Sequence, residues 1–255
     1  MNRSADKLFV TDEAVVILDG ASAFLPVPVP AATYADLLGR HLVDALNAKP
    51  DADLTAVLGA AIQSTATQLD LRAGHSPSST VGILRPRGDR VDMLALGDSA
   101  IVLPNEVISD DRIDQLALAE RQRYRERLAA GHGYDDEHRQ LLRDLQTEQA
   151  KRRNVDGGYW IAEASPEAAE HALTFSRSAE DVPWAVLATD GAYNPMVHLG
   201  LNDWERVVHA DADELAALLA RCTLWESEED PTARDLPRAK CHDDKAIAAV
   251  RLGTT

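Results

Sequence analysis

Two apolar runs, each closed by an acid and a glycine, constrain this chain more than any other feature. Val15-Val16-Ile17-Leu18 ends in Asp19-Gly20, and Ala185-Val186-Leu187-Ala188-Thr189 ends in Asp190-Gly191. An aliphatic run without polar alternation reads as a strand covered on both faces. The acid at its end sits at the rim of the core, held by the strand yet near solvent. The glycine lets backbone approach a ligand or turn with positive φ. Two strand-end acids remote in sequence can converge on a metal ion.

The other elements supply the layers such strands need. Lys7 to Val10 and Ala14 to Leu18 read as a hairpin through Thr11-Asp12-Glu13. Pro26, Pro28 and Pro30 forbid helix and predict an extended spacer. Thr33, with Asp36 three residues on, predicts a capped helix carrying Leu37, Leu38, His41, Leu42, Ala45 and Leu46 on one stripe. His41 is then a core-edge histidine. Asp53 caps a second helix with Leu54, Val57, Leu58, Ala61, Ile62 and Leu69 on its apolar face. Two amphipathic helices in succession form a layer to pack on a sheet.

Ser79 to Leu84, Val91 to Leu96 and Ala100 to Leu103 read as a β-meander, with Gly97-Asp98-Ser99 as a kink between the last two strands. The charged stretch 105–156 reads as a helical insertion. Ile113, Leu116 and Leu128 fall on one helix and Leu141, Leu142 and Leu145 on another, separated by Gly131-His132-Gly133. Ser165-Pro166-Glu167 is a helix start. Asp211 caps a late helix with Leu215, Leu218, Leu219 and Cys222 inward, and 226–240 is a polar loop. His242-Asp243-Asp244 leads into a closing strand, Ala246 to Leu252.

With 255 residues, 45% of them hydrophobic, the chain suits one domain, 1–255, around a sizeable core. Acids outnumber bases by 42 to 26, a net charge of −16, which argues against nucleic acid and anionic membrane as partners. The basic run Arg121 to Arg127 reads as one solvated helix face. Two distant cysteines, Cys222 and Cys241, make neither a disulfide framework nor a C-x-x-C metal site. The N-terminus has no apolar run of the signal-peptide kind, and Asp19 and the prolines interrupt the longest apolar stretch, 14–32. These features predict a cytoplasmic protein.

Asp19, Asp98, Asp190 and Asp243 stand at strand edges, with Asp244 beside the last. Carboxylate oxygen is the ligand that hard divalent ions prefer. A pair of ions held this way activates water and clamps a displacement at phosphorus, which is very slow unaided. A single Asp-Gly is an ordinary turn. The ordered set carries the signal: strand–Asp-Gly, Ser-Ser-Thr with Gly-Asp-Ser, strand–Thr-Asp-Gly, then Asp-Asp before the last strand.

That set resembles the metal-dependent protein phosphatases of the PP2C (PPM) type in their compact bacterial form. Ile17-Leu18-Asp19-Gly20 and Leu187-Ala188-Thr189-Asp190-Gly191 match the two Asp-Gly motifs. Ser78-Ser79-Thr80-Val81 with Leu96-Gly97-Asp98-Ser99 matches the Gly-Ser-Thr strand and the Gly-Asp-Ser turn. Asp243-Asp244-Lys245-Ala246 matches the terminal motif. The resemblance implies an α+β fold: a four-layer α-β-β-α sandwich with two central antiparallel sheets and Mn²⁺ or Mg²⁺ at the sheet edge. It implies that Asp19 bridges two ions, that the Gly20 carbonyl is a further ligand, and that Asp190 and Asp243 complete the second ion's site. It implies too that Asp98 belongs to a third, weaker site. The implied reaction is attack of a metal-bridging hydroxide on phosphoserine or phosphothreonine of a phosphoprotein, with Asp19, Asp190 and Asp243 acting through the metal-bound water. Residues 105–156 fall at the family's variable flap. Removing them is expected to change protein-substrate preference and spare hydrolysis of a small aryl phosphate.

The chain departs from the pattern in places. Ala5-Asp6 keeps only the aspartate of an upstream Asn-Glu-Asp, and Arg3 is displaced from the place of a phosphate-gripping arginine. Ala21 stands where a histidine often follows the first Asp-Gly, and Asn194 where a third-metal aspartate is usual. His75 and His132 are candidate proton donors, set against reading both as exposed loop histidines. The alternative to an enzyme is a phosphatase-like binding or regulatory module. A metal-dependent nuclease fits the acids but not the net charge.

Overall fold

A computed structural model of the chain describes residues 4–252. Five strands form one antiparallel sheet in the order β1 (Lys7–Val10), β2 (Val15–Leu18), β3 (Val81–Arg87), β4 (Arg90–Leu96) and β7 (Leu173–Ser178). Four form a second antiparallel sheet in the order β6 (Val107–Ile108), β5 (Ala100–Val102), β8 (Trp184–Ala188) and β9 (Ile247–Arg251). Alternate residues of one strand face opposite ways, so a strand buried on both faces feeds two cores. Val16 and Leu18 of β2 join Ile83, Leu94 and Leu96 beneath α1 (Ala31–Ala48) and α2 (Leu54–Gln68). Val15 and Ile17 face the second sheet, where they share a core with Met93, Ile101, Ala185 and Leu187. Val186 and Ala188 of β8 pack outward beneath α6 (Asp190–His198), α7 (Trp204–His209) and α8 (Ala212–Glu228). The result is the α-β-β-α sandwich with two central antiparallel sheets that the motifs imply.

Between β6 and β7 lie α3 (Arg112–Gln115), α4 (Ala119–Ala129) and α5 (Asp136–Ala150). Leu118, Tyr124, Leu128, Leu142 and Leu145 close a small core of their own, which Ala233 completes from a distant loop.

Several local expectations are corrected. α1 opens at Ala31, not Thr33, and no side chain caps it; the Pro30 carbonyl accepts from Thr33 and Tyr34, and Asp36 pairs with Arg40 instead. Asp53 does cap α2, accepting from the Ala56 N–H at 2.9 Å. The strands after Gly88 are not one meander. At Gly97, φ is +85°, a left-handed conformation that glycine adopts without strain, and β5 leaves for the second sheet. Ile113 and Leu128 lie on separate helices, because Ala117 at φ 45° breaks the run. Ser165-Pro166 opens a 3₁₀ turn, Pro166–His171, not an α-helix. β7, α6 and α7 have no counterpart in the sequence reading.

Candidate metal centre

The four strand-edge acids meet where the two sheets end together. Asp19 follows β2 of the first sheet, and Asp190 follows β8 of the second. Asp98 sits in the crossing from β4 to β5, and Asp243 precedes β9. Together they line one cleft of about 410 Å³. Gly20 lies behind Asp19 in a bridge to Ser79.

The motifs around the acids hold their backbone. Thr80 Oγ1 accepts from the Asp19 N–H at 3.1 Å, and the Asp19 carbonyl accepts from the Thr80 N–H and the Ser79 hydroxyl, both at 2.9 Å. The Thr80 and Ser99 hydroxyls are 2.6 Å apart. One chain of hydroxyls thus couples the first Asp-Gly to the turn that carries Asp98. A Cβ on Gly97 would press on Thr80 Cγ2 at 2.9 Å, so that turn needs glycine for space as well as for φ. Behind it Asp110 is buried against the guanidinium of Arg112, which also donates to the His171 carbonyl.

Asp190 is the first residue of helix α6, not the end of a strand. Thr189 is the N-cap, and its hydroxyl donates to Asp6 Oδ2 at 2.6 Å while accepting from the Ala246 N–H at 3.0 Å. Asp6 is therefore part of the centre, pinning the start of β1 to the second sheet. The Ala5 N–H donates to Asp244 at 2.8 Å in the same manner. Arg3 lies outside the described residues.

The Asp243 loop is held from below by buried ions. Glu226 at the end of α8 pairs with Lys245 at 2.8 Å, and Lys245 Nζ also donates to the Asp243 carbonyl at 3.0 Å. Asp230 organises the preceding loop, accepting from the N–H groups of Arg234, Asp235 and Leu236 and pairing with Arg238 at 2.7 Å. Burial alone would raise its carboxyl, but the Asp235 N–H and Arg238 hold it below the usual carboxylate range.

Electrostatically the centre is overloaded with negative charge. Burial, then Asp190, Asp6 and Asp243, pushes Asp19 well above the usual range. Burial and Asp243 raise Asp190. Burial pushes Asp6 up to about 6, opposed by the Thr189 hydroxyl and assisted by Asp243. Burial and Asp190 take Asp98 to about 7. Asp190 and Asp6 both act on Asp19, and like charges gathered in a buried site favour the protonated forms. One cation set against them is Lys240, ion-paired with Asp243. Burial would neutralise its amine, but Asp243, then Asp19 and Asp244, hold it charged.

This donor set of hard oxygens carrying excess charge fits Mg²⁺ or Mn²⁺ in chemistry. The chelating geometry is not closed: among the described residues, no three His, Cys, Asp or Glu side chains gather around one point at ligand distance. His75 and His132 are both exposed and do not line the cleft, whereas Ala21 and Asn194 do.

The chain is similar to the catalytic domain of the serine/threonine protein phosphatase PstP in complex with two manganese ions. The identity is 15% and the TM-score 0.53, over 98% of this chain and 91% of that one. It is similar to the PPM Ser-Thr phosphatase MsPP from Mycobacterium smegmatis in complex with cacodylate, at 14% identity and TM-score 0.53, over 99% and 94%. It is also similar to PppA, a regulatory component of the type VI secretion system (T6SS) in Pseudomonas aeruginosa, at 17% identity and TM-score 0.53, over 98% and 91%. No protein-family profile and no curated protein sequence matches it. What the chain shares with these structures is the fold, that of the PP2C-type (PPM) phosphatases.

Proposed function

We propose that this chain is a metal-dependent phosphoprotein serine/threonine phosphatase. The observation that carries the reading is the meeting of Asp19, Asp98, Asp190 and Asp243 on one cleft at the common end of two sheets. Asp19, Asp190, Asp243 and the Gly20 carbonyl would hold two Mn²⁺ or Mg²⁺ ions, and Asp98 a weaker third. When bound, the ions would supply activation of a water as nucleophile near neutral pH, and neutralisation of charge at phosphorus. The chain's own residues do the rest. Thr80, Ser99, Thr189 and Lys245 fix the backbone of the acids, and the sheet ends keep them from swinging apart. Residues 105–156 are a flap on a single catalytic domain, 1–255, and shape access to the cleft.

The test is manganese-dependent release of phosphate from a phosphothreonine peptide and from p-nitrophenyl phosphate. Asp19→Asn and Asp243→Asn are expected to lower kcat by ~10³-fold or more. Manganese binding without any turnover in the unaltered chain would count against the reading.

A second reading has its own observations. Lys240 occupies Asp243, and Asn194 and Ala21 line the cleft where the family usually carries an acid and a histidine. They favour a phosphatase-like binding module, which would take up a phosphoprotein and release it unchanged. Among the described residues no helix is long and apolar enough to cross a membrane. A cytoplasmic location, with no nucleic-acid or membrane partner, is part of the proposal.

A further inference from the structure

The cleft that holds the acids also carries positive charge from α4. Arg121 and Arg125 line the same cavity as Asp19, Asp98 and Asp190. The Arg121 side chain is only 12% exposed. Its Nη1 donates to Asp114 and, at 3.2 Å, to the Ile113 carbonyl. Nε and Nη2 make no hydrogen bond among the described residues. Arg125 Nη2 stands 3.7 Å from the same Asp114 carboxylate. Two guanidinium groups thus converge on one acid at the mouth of the site, and both Arg121 and Asp114 act electrostatically on Asp98.

A phosphate monoester dianion entering this cleft meets six carboxylates, those of Asp19, Asp98, Asp111, Asp114, Asp190 and Asp243. Divalent ions offset those at the sheet edge but not those on the outer wall. The outer wall needs its own cation, and guanidinium suits it. It is always charged, weakly hydrated, and forked to match two phosphate oxygens. Asp114 is the stand-in: its Oδ1 takes both arginines where a phosphate oxygen would sit. The reading of 121–127 as one solvated basic face therefore misplaces Arg121, which turns inward.

Building on the phosphatase reading, we propose that Arg121, seconded by Arg125, grips the substrate phosphate in the cleft that holds the acids, and that Asp114 holds the pair ready until phosphate displaces it. The phosphate grip then comes from the helical segment 105–156. Removing that segment would weaken hydrolysis of a small aryl phosphate too, contrary to the expectation drawn from its position in sequence.

The probe is inorganic phosphate, titrated calorimetrically into the manganese-loaded full chain, with manganese affinity and p-nitrophenyl phosphate kinetics measured alongside. Arg121→Met is expected to raise the phosphate Kd at least tenfold and KM by a similar factor, leaving the manganese Kd unchanged. Arg121→Lys, which keeps the charge without the fork, should recover part of the loss and guards against a folding defect in the first variant. Asp114→Asn should tighten phosphate several-fold by removing the competing anion. An unchanged phosphate Kd in folded, manganese-binding Arg121→Met overturns the proposal, as does a wild-type chain that binds manganese but no phosphate. Phosphate binding lost with Arg121 in a chain that hydrolyses nothing would support the grip while sinking the enzymatic reading.

Discussion

Gly191 lies directly under the backbone of Asp244. A Cβ built on Gly191 would collide with the Asp244 carbonyl oxygen and stand 3.1 Å from the Asp243 Cβ. The glycine of the second Asp-Gly is therefore there for close approach, not for a turn: it lies inside the first turn of α6, where its φ is not left-handed. That approach seats Asp243 beside Asp190. Gly191→Ala replaces a poor helix former by the best one, a gain of about 1 kcal/mol taken alone. The collision is with backbone and cannot be relieved by a rotamer, so a net loss of about 1–3 kcal/mol is expected. Manganese affinity should fall with it. Thermal unfolding and a manganese titration check both. An alanine variant as stable as the parent would show that the 243–244 loop yields freely.

Lys240 is a tethered cation at the centre. Its ammonium pairs with Asp243 and is held charged by Asp19 and Asp244 as well. An ion binding to Asp243 must first displace it. Lys240→Met removes the competitor and is expected to tighten manganese roughly tenfold, ~1.4 kcal/mol. The unaltered chain should show a more strongly unfavourable enthalpy of exchange. Weaker manganese binding in the variant would mean that Lys240 positions Asp243 and does not compete for it.

The fold was legible where periodicity is strong and local. β2, α1, α2 and α8 come straight from runs such as Val15–Leu18 and from caps such as Asp53 and Asp211, both of which bond as capping acids. The strand ends that Asp19 and Asp190 follow are legible for the same reason, though not that Asp190 opens a helix. What escaped the sequence is tertiary in origin. β7, Leu173-Thr174-Phe175-Ser176, is an edge strand defined by its pairing with β4, not by its own pattern. The sheet switch at Gly97 follows from space around Thr80, which no spacing rule carries. Lys240 and Arg121 look like surface charges in a chain rich in them, and only the folded arrangement sets them against the acids. Asp6 shows in the sequence as the remnant of an upstream motif, but its bond to Thr189 does not. Glu226 and Lys245 are invisible as a pair because a helix end and a loop bring them together.

The crowded carboxyl groups invert the usual acid response of the metal-free protein. Asp6 and Asp98 titrate near 6 and 7 in the fold, and Asp19 and Asp190 are raised as well. The unfolded chain releases those protons near the ordinary value of about 4. Between about pH 4 and about pH 7 the folded state therefore holds more protons, and its stability falls as pH rises through that window. Asp92 and Asp230 are lowered and act with the opposite sign, but only below about pH 4. The metal-free chain should melt lower at about pH 7.5 than at about pH 5.5, by a few degrees. Manganese should stabilise more at the higher pH, where it competes with fewer protons. Asp19→Asn should flatten the metal-free profile and raise the melting temperature. A metal-free melting temperature that climbs steadily across this range would mean the acids do not repel as their placement requires.

Gln146 joins the helical segment to the loop that leaves the first Asp-Gly. Its side-chain carbonyl accepts from the Phe24 and Leu25 N–H groups at 2.8 and 2.6 Å, and its amide donates to the Ser22 carbonyl at 3.1 Å. Both Phe24 and Ser22 line the cleft, together with Leu142 and Leu145 of the same helix. Three backbone groups thus depend on one side chain next to the cleft-lining Leu145. Truncation to alanine orphans two donors and an acceptor. Water can reach the half-exposed loop, so the loss is expected to be about 1–3 kcal/mol. Opening of 22–25 should be seen as faster amide hydrogen exchange there and in α5, with α1 and α2 unaffected. If the segment shapes access, Gln146→Ala should raise KM for a phosphopeptide more than for p-nitrophenyl phosphate and leave kcat nearly intact. A fall in kcat equal for both substrates would place the defect in the acids themselves, and the segment would then be part of the catalytic framework and not a gate upon it.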